Sequence, residues 1–155
     1  MGIELLEKAA KVISARCSIK VLATVDSQGL AYAEEKEFLE LTKDGNIIFL
    51  ELLETSRTYK NFTRSLWFNQ NISLTVIGED KTSYRIIGKP ERILVNGDQY
   101  EIYYKQIREL LGDVDLAAIC VLEPIDVSDI TLLREIKKQD KELPIFKHLD
   151  RLLKE

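Results

Sequence analysis

The sequence is poor in the residues that build metal centres and disulfide frameworks. Among its 155 residues it has one histidine, His148, and two cysteines, Cys17 and Cys120. A single histidine excludes a multi-histidine metal site, and we expect His148 to lie exposed on a charged stretch rather than to take part in catalysis. Two distant cysteines are too few for a disulfide framework or a cysteine metal cluster. We therefore expect no metal, two small buried cysteines and a reducing, cytoplasmic setting.

Long apolar runs and an excess of positive charge are also missing. No run approaches the roughly 18 apolar residues that a membrane-spanning helix needs. The net charge of −4 is unlike that of a chain whose main task is to bind nucleic acid. We therefore expect neither a membrane nor a nucleic acid as a partner. The 45% hydrophobic content can form a proper core, and no linker or repeat divides the chain, so residues 1–155 are predicted to form a single domain.

Strand and turn signals dominate the middle of the chain. Six segments are typical of strands, and turns such as TKDGN and EDKT join most of them as hairpins. The run IIFLELL is apolar on both faces, which predicts a strand buried on both sides. Gly88 and Pro90 indicate a bulge or a sheet edge within one strand. The pattern predicts a mainly β, α+β fold in which six largely antiparallel strands close into a small barrel with peripheral helices.

Apolar residues at helical spacing predict the helices around this sheet. The predicted helical segments are residues 1–18, 55–68, 96–112 and 133–155. In the third segment Asp98 and Glu101 resemble a capping box, and Gly112 ends the helix. In the second, Phe62 lies on the apolar face and is expected to be part of the core.

The junction LETSRTYKNF, where a strand becomes a helix, has an unusual charge pattern. Arg57 and Lys60 stand in the first helical turn, where the helix dipole disfavours positive charge. An anion bound between them explains the pattern, because helix N-termini bind phosphate and the Ser56 and Thr58 hydroxyls add donors. The alternative is that Thr55 or Ser56 only caps the helix and that the cations are solvated. We favour a phosphate site.

The order of these segments resembles that of a known family. The pattern VLATVDSQG, then DGNIIFLELLETSRTYKNF, then NISLTVIG is similar to that of the pyridoxamine 5′-phosphate oxidase-like family of FMN-binding split β-barrels. The resemblance runs from about residue 21 to residue 131. It implies a split β-barrel, FMN as the cofactor, a homodimer with FMN at the subunit interface, and a small-molecule substrate.

The resemblance also implies the site residues. The serine-arginine turn would hold the flavin phosphate, and the second and third strands would border the isoalloxazine ring. The implied phosphate residues are Ser56, Arg57, Thr58 and Lys60. The implied ring residues are Glu34, Glu35, Lys36, Leu50, Glu51 and Leu52. No catalytic acid or base is assigned; Tyr32, Tyr59 and Lys36 are candidate proton donors, and Glu37 is expected to face water.

Three departures from the family pattern bear on function. Thr58 stands where many members have a lysine. Glu34 stands roughly where members that oxidise pyridoxamine phosphate have an arginine, and an acid there would repel a phosphorylated substrate. The segment TRSLWFNQN adds about one helical turn, on which Trp67 and Phe68 either cover the flavin or a substrate or anchor the helix. We expect Trp67 to lie in the core.

Three functions remain open from the sequence. The first is an FMN-dependent oxidoreductase that acts on a small molecule. The second is a non-catalytic flavin-binding protein that serves as a redox sensor, a carrier or a reservoir. The third is a member of the family that binds haem or deazaflavin F420 instead or acts through protein contacts, with His148 as a possible single axial haem ligand.

Overall fold

The computed structural model describes residues 2–143, in which one curled antiparallel sheet is surrounded by helices. The helices are α1 (Ile3–Ser14), α2 (Arg57–Trp67), α3 (Asp98–Leu111) and α4 (Leu132–Glu142). The strands are β1 (Ile19–Val25), β2 (Ala31–Glu35), β3 (Leu39–Leu41), β4 (Ile47–Glu51), β5 (Ile72–Ile77), β6 (Ser83–Leu94) and β7 (Ala118–Asp129). The end of the predicted helical tail, including His148, lies outside the described residues.

The order of the strands explains why the sheet curls into a half-barrel. Across the sheet the strands lie in the order β2-β1-β5-β6-β7-β4-β3, and every neighbouring pair is antiparallel. The two outermost strands, β2 and β3, are joined by only three residues, so the ends of the sheet must approach each other. At this bend the Lys36 N–H donates to the Lys20 carbonyl (2.7 Å) and the Leu50 N–H donates to the Phe38 carbonyl (2.9 Å). The predicted α+β barrel is confirmed.

The strand count differs from the six predicted because the bend divides one predicted strand. The run LAYAEEKEFLEL becomes β2 and β3, which pair with β1 and β4 at opposite ends of the sheet. Counting the two halves separately gives seven strands. Local turn signals were absent from this run, so the bend is a consequence of barrel closure rather than of the residues alone.

Several local predictions are confirmed. Gly45 has φ +85° in the turn between β3 and β4, as expected for the Asp-Gly pair. The register of β6 against β7 shifts beside Gly88 and again beside Pro90, where a bulge was expected. Strand β4 is buried on both faces, because Phe49 faces the barrel interior whereas Ile48 joins a second apolar cluster beside α3.

Three local predictions are wrong. Gly97, with φ +98°, is the N-cap of α3, and neither Asp98 nor Glu101 forms a capping box because Asp98 already belongs to the helix. Trp67 is 81% exposed instead of buried, since it lies off the inward face of α2. Cys17 is exposed, whereas Cys120 is buried as expected.

None of the helices among residues 2–143 is long and apolar enough to cross a membrane.

Candidate functional site

The N-terminus of α2 is formed by the serine of the predicted phosphate turn. Ser56 is the N-cap, and its side-chain oxygen accepts a hydrogen bond from the Tyr59 N–H (3.3 Å). Its carbonyl accepts from the Lys60 N–H (3.1 Å), which starts the helical hydrogen-bond ladder. The first turn contains no acidic residue. No acidic residue of the helix itself therefore offsets the positive end of its dipole.

Two cations of the predicted site flank this helix end, and their charge is only weakly neutralised. The Arg57 side chain is 59% exposed, and its guanidinium lies 3.9 Å from the Asp26 carboxylate. Asp26 also accepts hydrogen bonds from the N–H groups of Gln28 and Leu30, so its charge is shared with the turn between β1 and β2. Lys60 is exposed and forms no ion pair with any other described residue. Both cationic side chains are therefore exposed beside the helix end.

The inward face of α2 fixes this helix end against the barrel. Phe62 is fully buried, and its ring meets the Phe49 ring edge-on with centroids 5.4 Å apart. The Asn61 side-chain amide donates to the Thr24 hydroxyl (3.0 Å) in the buried interface between α2 and β1. Burial of Phe62 is thus confirmed, and the position of the phosphate turn relative to β1 and β4 is set by packing.

A cavity of about 220 Å³ lies between the end of β2 and the end of β4. Its walls include all the predicted ring residues, namely Glu34, Glu35, Lys36, Leu50, Glu51 and Leu52. Glu37, Phe38 and Leu53 complete the lining. The structure therefore brings together residues from two segments that the sequence alone could only assign separately.

A buried charge network forms the floor of this cavity. The Lys36 ammonium lies 2.8 Å from a Glu51 carboxylate oxygen and 3.0 Å from a Glu34 oxygen. Lys36 and Glu51 are both almost fully buried, and the ammonium also lies 5.5 Å from the centre of the Phe49 ring. The two carboxylates compensate the charge that burial would otherwise penalise.

Thr58 connects this network to the helix end. Its hydroxyl, which is fully buried, donates to the second Glu34 oxygen at 2.6 Å. Burial acts to raise the pKa of Glu34, but the hydrogen bond from Thr58 and the ammonium of Lys36 outweigh it, so the pKa lies below 4.5. The Thr58 hydroxyl is therefore engaged with a carboxylate of the protein, and it ties the first turn of α2 to the cavity.

The remaining candidates lie around the cavity or apart from it. Glu35 and Glu37 are exposed. Tyr32 is partly exposed on β2, and Tyr59 is half-buried on α2 with a pKa raised by burial and by nearby acidic groups, Cys120 first among them. Lys36, the third candidate proton donor, already donates to two carboxylates.

Sequence reasoning missed the contacts that unite the site. The charged run AEEKE stood out in a strand-like segment, and its charged residues line the cavity. The partner of Lys36, however, is Glu51, which lies 15 residues away and becomes adjacent only because the barrel closes at the bend. The Asn61–Thr24 hydrogen bond has no sequence signal.

The comparisons with known proteins identify the fold. No family model matches the chain, and no curated protein matches it. Solved structures do match, although their sequence identities are low. An FMN-binding protein from Syntrophomonas wolfei is 22% identical over 83% of this chain and 88% of its own, with a TM-score of 0.70.

Two further structures have the same fold. HupZ of Group A Streptococcus is 19% identical over 81% of this chain and 94% of its own, with a TM-score of 0.65. A putative pyridoxamine 5′-phosphate oxidase from Listeria innocua is 14% identical over 82% of this chain and 98% of its own, with a TM-score of 0.62. The chain therefore has the split-barrel fold of FMN-binding and pyridoxamine 5′-phosphate oxidase-like proteins, as the resemblance in its sequence indicated.

Proposed function

We propose that the chain binds FMN, with the phosphate at the N-terminus of α2 and the isoalloxazine ring in the cavity above Lys36. One observation carries this proposal. The helix end that bears Arg57 adjoins a cavity lined by Glu34, and a direct hydrogen bond from Thr58 to Glu34 joins the two. An anionic group and a ring of the same ligand therefore have adjacent places to bind.

The donor set at the helix end suits a phosphate. The N–H groups of Arg57 and Thr58 have no acceptor within the helix, because the preceding turn is not helical. The exposed Arg57 guanidinium can donate two parallel hydrogen bonds to phosphate oxygens, and Lys60 adds charge one turn further on. Asp26, whose carboxylate lies 3.9 Å from Arg57, would compete with the phosphate for this guanidinium.

The cavity suits the ring. Leu50 and Leu52 provide apolar surface for an aromatic system, and Phe38 closes one side. The Lys36 ammonium has three protons, of which two are donated to Glu34 and Glu51. In the proposed complex the third proton is donated to a carbonyl or nitrogen acceptor at the ring edge. FMN, when bound, supplies the capacity to accept and donate hydride or electrons, whereas these residues position it and set the charge around it.

A homodimer is part of this proposal. The outer face of β1 and β2 carries small and apolar residues together with Glu35, and it remains partly exposed in the single chain. Ile19 and Val25 are 44% and 42% exposed on this face, and Ala31 of β2 lies beside Val25. A second copy of the chain would bury this surface and enclose the FMN between the subunits.

We further propose that the protein is a cytoplasmic flavin-dependent oxidoreductase of a small molecule. The cavity lining has four carboxylates against one ammonium, which disfavours a phosphorylated substrate. A non-catalytic flavin carrier is the second candidate, and the engagement of Lys36 by two carboxylates favours it because one possible proton donor is occupied. Haem binding through His148 has no support in the described part of the chain.

An absorption spectrum of the purified protein, taken before and after mixing with FMN and desalting, tests cofactor binding. Retained flavin bands at about one FMN per chain are the expected result. A colourless protein after desalting would contradict the proposal, and a Soret band would indicate that the protein binds haem instead of FMN. Turnover of the loaded protein with NAD(P)H then separates an oxidoreductase from a carrier.

A further inference from the structure

A second cavity, also of about 220 Å³, lies between α3 and the hairpin of β3 and β4. Its walls are mainly apolar, with Ile48 and Leu39 on the sheet and Ile107 and Leu110 on the helix. A cavity with such walls binds the apolar part of a small molecule. None of the predicted phosphate residues lines it.

The charged groups that line this cavity are all carboxylates. Glu37 and Glu40 line it, and neither lysine nor arginine does. The Tyr103 hydroxyl donates to a Glu40 carboxylate oxygen and so orients it. Burial, and then the Glu40 carboxylate, raise the pKa of Tyr103, so this hydroxyl stays protonated at neutral pH. Glu37 is exposed and pairs with no cation among residues 2–143.

This cavity adjoins the one proposed for the flavin ring. Glu37, Phe38 and Leu50 line both cavities. The Leu50 N–H donates to the Phe38 carbonyl at 2.9 Å, so these two residues form a continuous wall. A molecule in the second cavity would therefore lie on the opposite side of this shared wall from the first cavity.

We propose that the cavity between α3 and the β3–β4 hairpin binds a small apolar molecule that carries a protonated amine, and that it is the substrate subsite of the flavin centre. The apolar walls would hold the body of the ligand, and the Glu37 and Glu40 carboxylates would bind the ammonium group. Its role as a substrate subsite rests on the proposed FMN function, whereas ligand binding itself does not.

Titration of the full-length, FMN-free protein with benzylamine tests the binding. Amide resonances of Tyr103, Ile107 and Leu110 should shift in two-dimensional NMR spectra, and benzoate at the same concentration should leave them unchanged. Leu110→Trp, which places a larger side chain on the cavity wall, should abolish the shifts of Tyr103 and Ile107. Leu111→Trp is the matched control, because Leu111 is the next residue on α3 but does not line the cavity. Equal binding by the two variants, or equal binding of benzoate, would overturn the proposal.

The role of charge is tested with Glu37→Gln, which should weaken benzylamine binding about threefold, the effect of one exposed ion pair. Glu35→Gln is its control, since Glu35 lines only the flavin cavity. An unchanged affinity of Glu37→Gln for benzylamine would show that the Glu37 carboxylate does not bind the ammonium group.

The subsite role is tested in the FMN-loaded protein. Benzylamine should perturb the flavin absorption spectrum in the wild type and in Leu111→Trp, but not in Leu110→Trp. Binding detected by NMR without any change in the flavin spectrum would overturn the subsite role. Failure of FMN binding is recorded separately by desalting, so the two proposals can fail independently.

Discussion

At the scale of single residues, Lys36 connects the fold to the candidate site. It is only 6% exposed at the bend between β2 and β3, and Glu34 and Glu51 share its ammonium. A buried ion pair contributes little net stability over an apolar pair of similar size, but the loss of one partner leaves an uncompensated charge. The network is therefore expected to be sensitive to single substitutions and tolerant of paired ones.

Lys36→Met should lower the free energy of unfolding by about 3–5 kcal/mol, because Glu51 is then buried without its cation. The double variant Lys36→Met/Glu51→Leu should recover the larger part of that loss. Urea unfolding in the absence of FMN measures both values. A double variant as unstable as the single one would show that the buried Glu51 charge is not the cause.

The hydrogen bond from Thr58 to Glu34 should contribute stability that depends on pH. The folded-state pKa of Glu34 lies below 4.5, so the stabilisation is present above that value and is lost as the pH falls through the lower folded value. Thr58→Val should therefore be about 1 kcal/mol less stable than the wild type at pH 7, with the difference vanishing in acid.

Thr63→Val is the control for this pH dependence. Its hydroxyl donates to the uncharged Tyr59 carbonyl on the same helix, so any stability difference from the wild type should be independent of pH. Urea unfolding at a series of pH values compares the two variants. The same pH profile for both would contradict the assignment to Glu34.

At the scale of elements, α2 positions the site through one face. The buried residues on that face are Thr58, Asn61, Phe62 and Ser65, whereas Trp67 lies off it.

Phe62→Ala should lower the free energy of unfolding by about 3–5 kcal/mol, because it leaves a cavity against Phe49. Trp67→Ala should change it by less than about 0.5 kcal/mol. Chemical denaturation compares them; equal losses would mean that Trp67 is covered in solution.

The elements also show what the sequence could predict. Hairpin turns, the Ser56 cap and the shift beside Gly88 all depend on local residues. The turns and the shift were predicted, and the cap belonged to the alternative to a phosphate site. The division of the second predicted strand depends on barrel closure, which no local residue encodes. The exposure of Trp67 depends on where the buried face of α2 ends, and apolar character alone cannot reveal that.

The same distinction, between features set by local residues and features set by long-range contacts, applies to the candidate site. The ring residues Glu34 and Leu50 were assigned by resemblance, and they do line one cavity. The Lys36–Glu51 contact and the Thr58–Glu34 hydrogen bond join separate segments, so they were visible only in three dimensions. The α3 cavity had no sequence signal because its walls come from separate segments, α3 and the β3–β4 hairpin, that meet only in the folded chain.

At the scale of the whole molecule, the proposed dimer should depend on the outer face of β1 and β2. Ala33→Arg places a cation on this face and should convert a dimer into a monomer with loss of FMN. Asn96→Arg, on the exposed loop before α3, should remain dimeric. Size-exclusion chromatography with light scattering measures the mass; a dimer in both variants would place the interface elsewhere.

The central claim is that the N-terminus of α2 binds a phosphate. The most direct test compares the affinity of the protein for FMN with its affinity for riboflavin, which lacks the phosphate. The two affinities are measured for the wild type, for Arg57→Ala and for the control Arg64→Ala, which lies at the other end of the helix. The wild type and Arg64→Ala should prefer FMN, and Arg57→Ala should lose about 1.5–3 kcal/mol of FMN binding with little change for riboflavin. Equal affinity of the wild type for FMN and riboflavin would contradict the account.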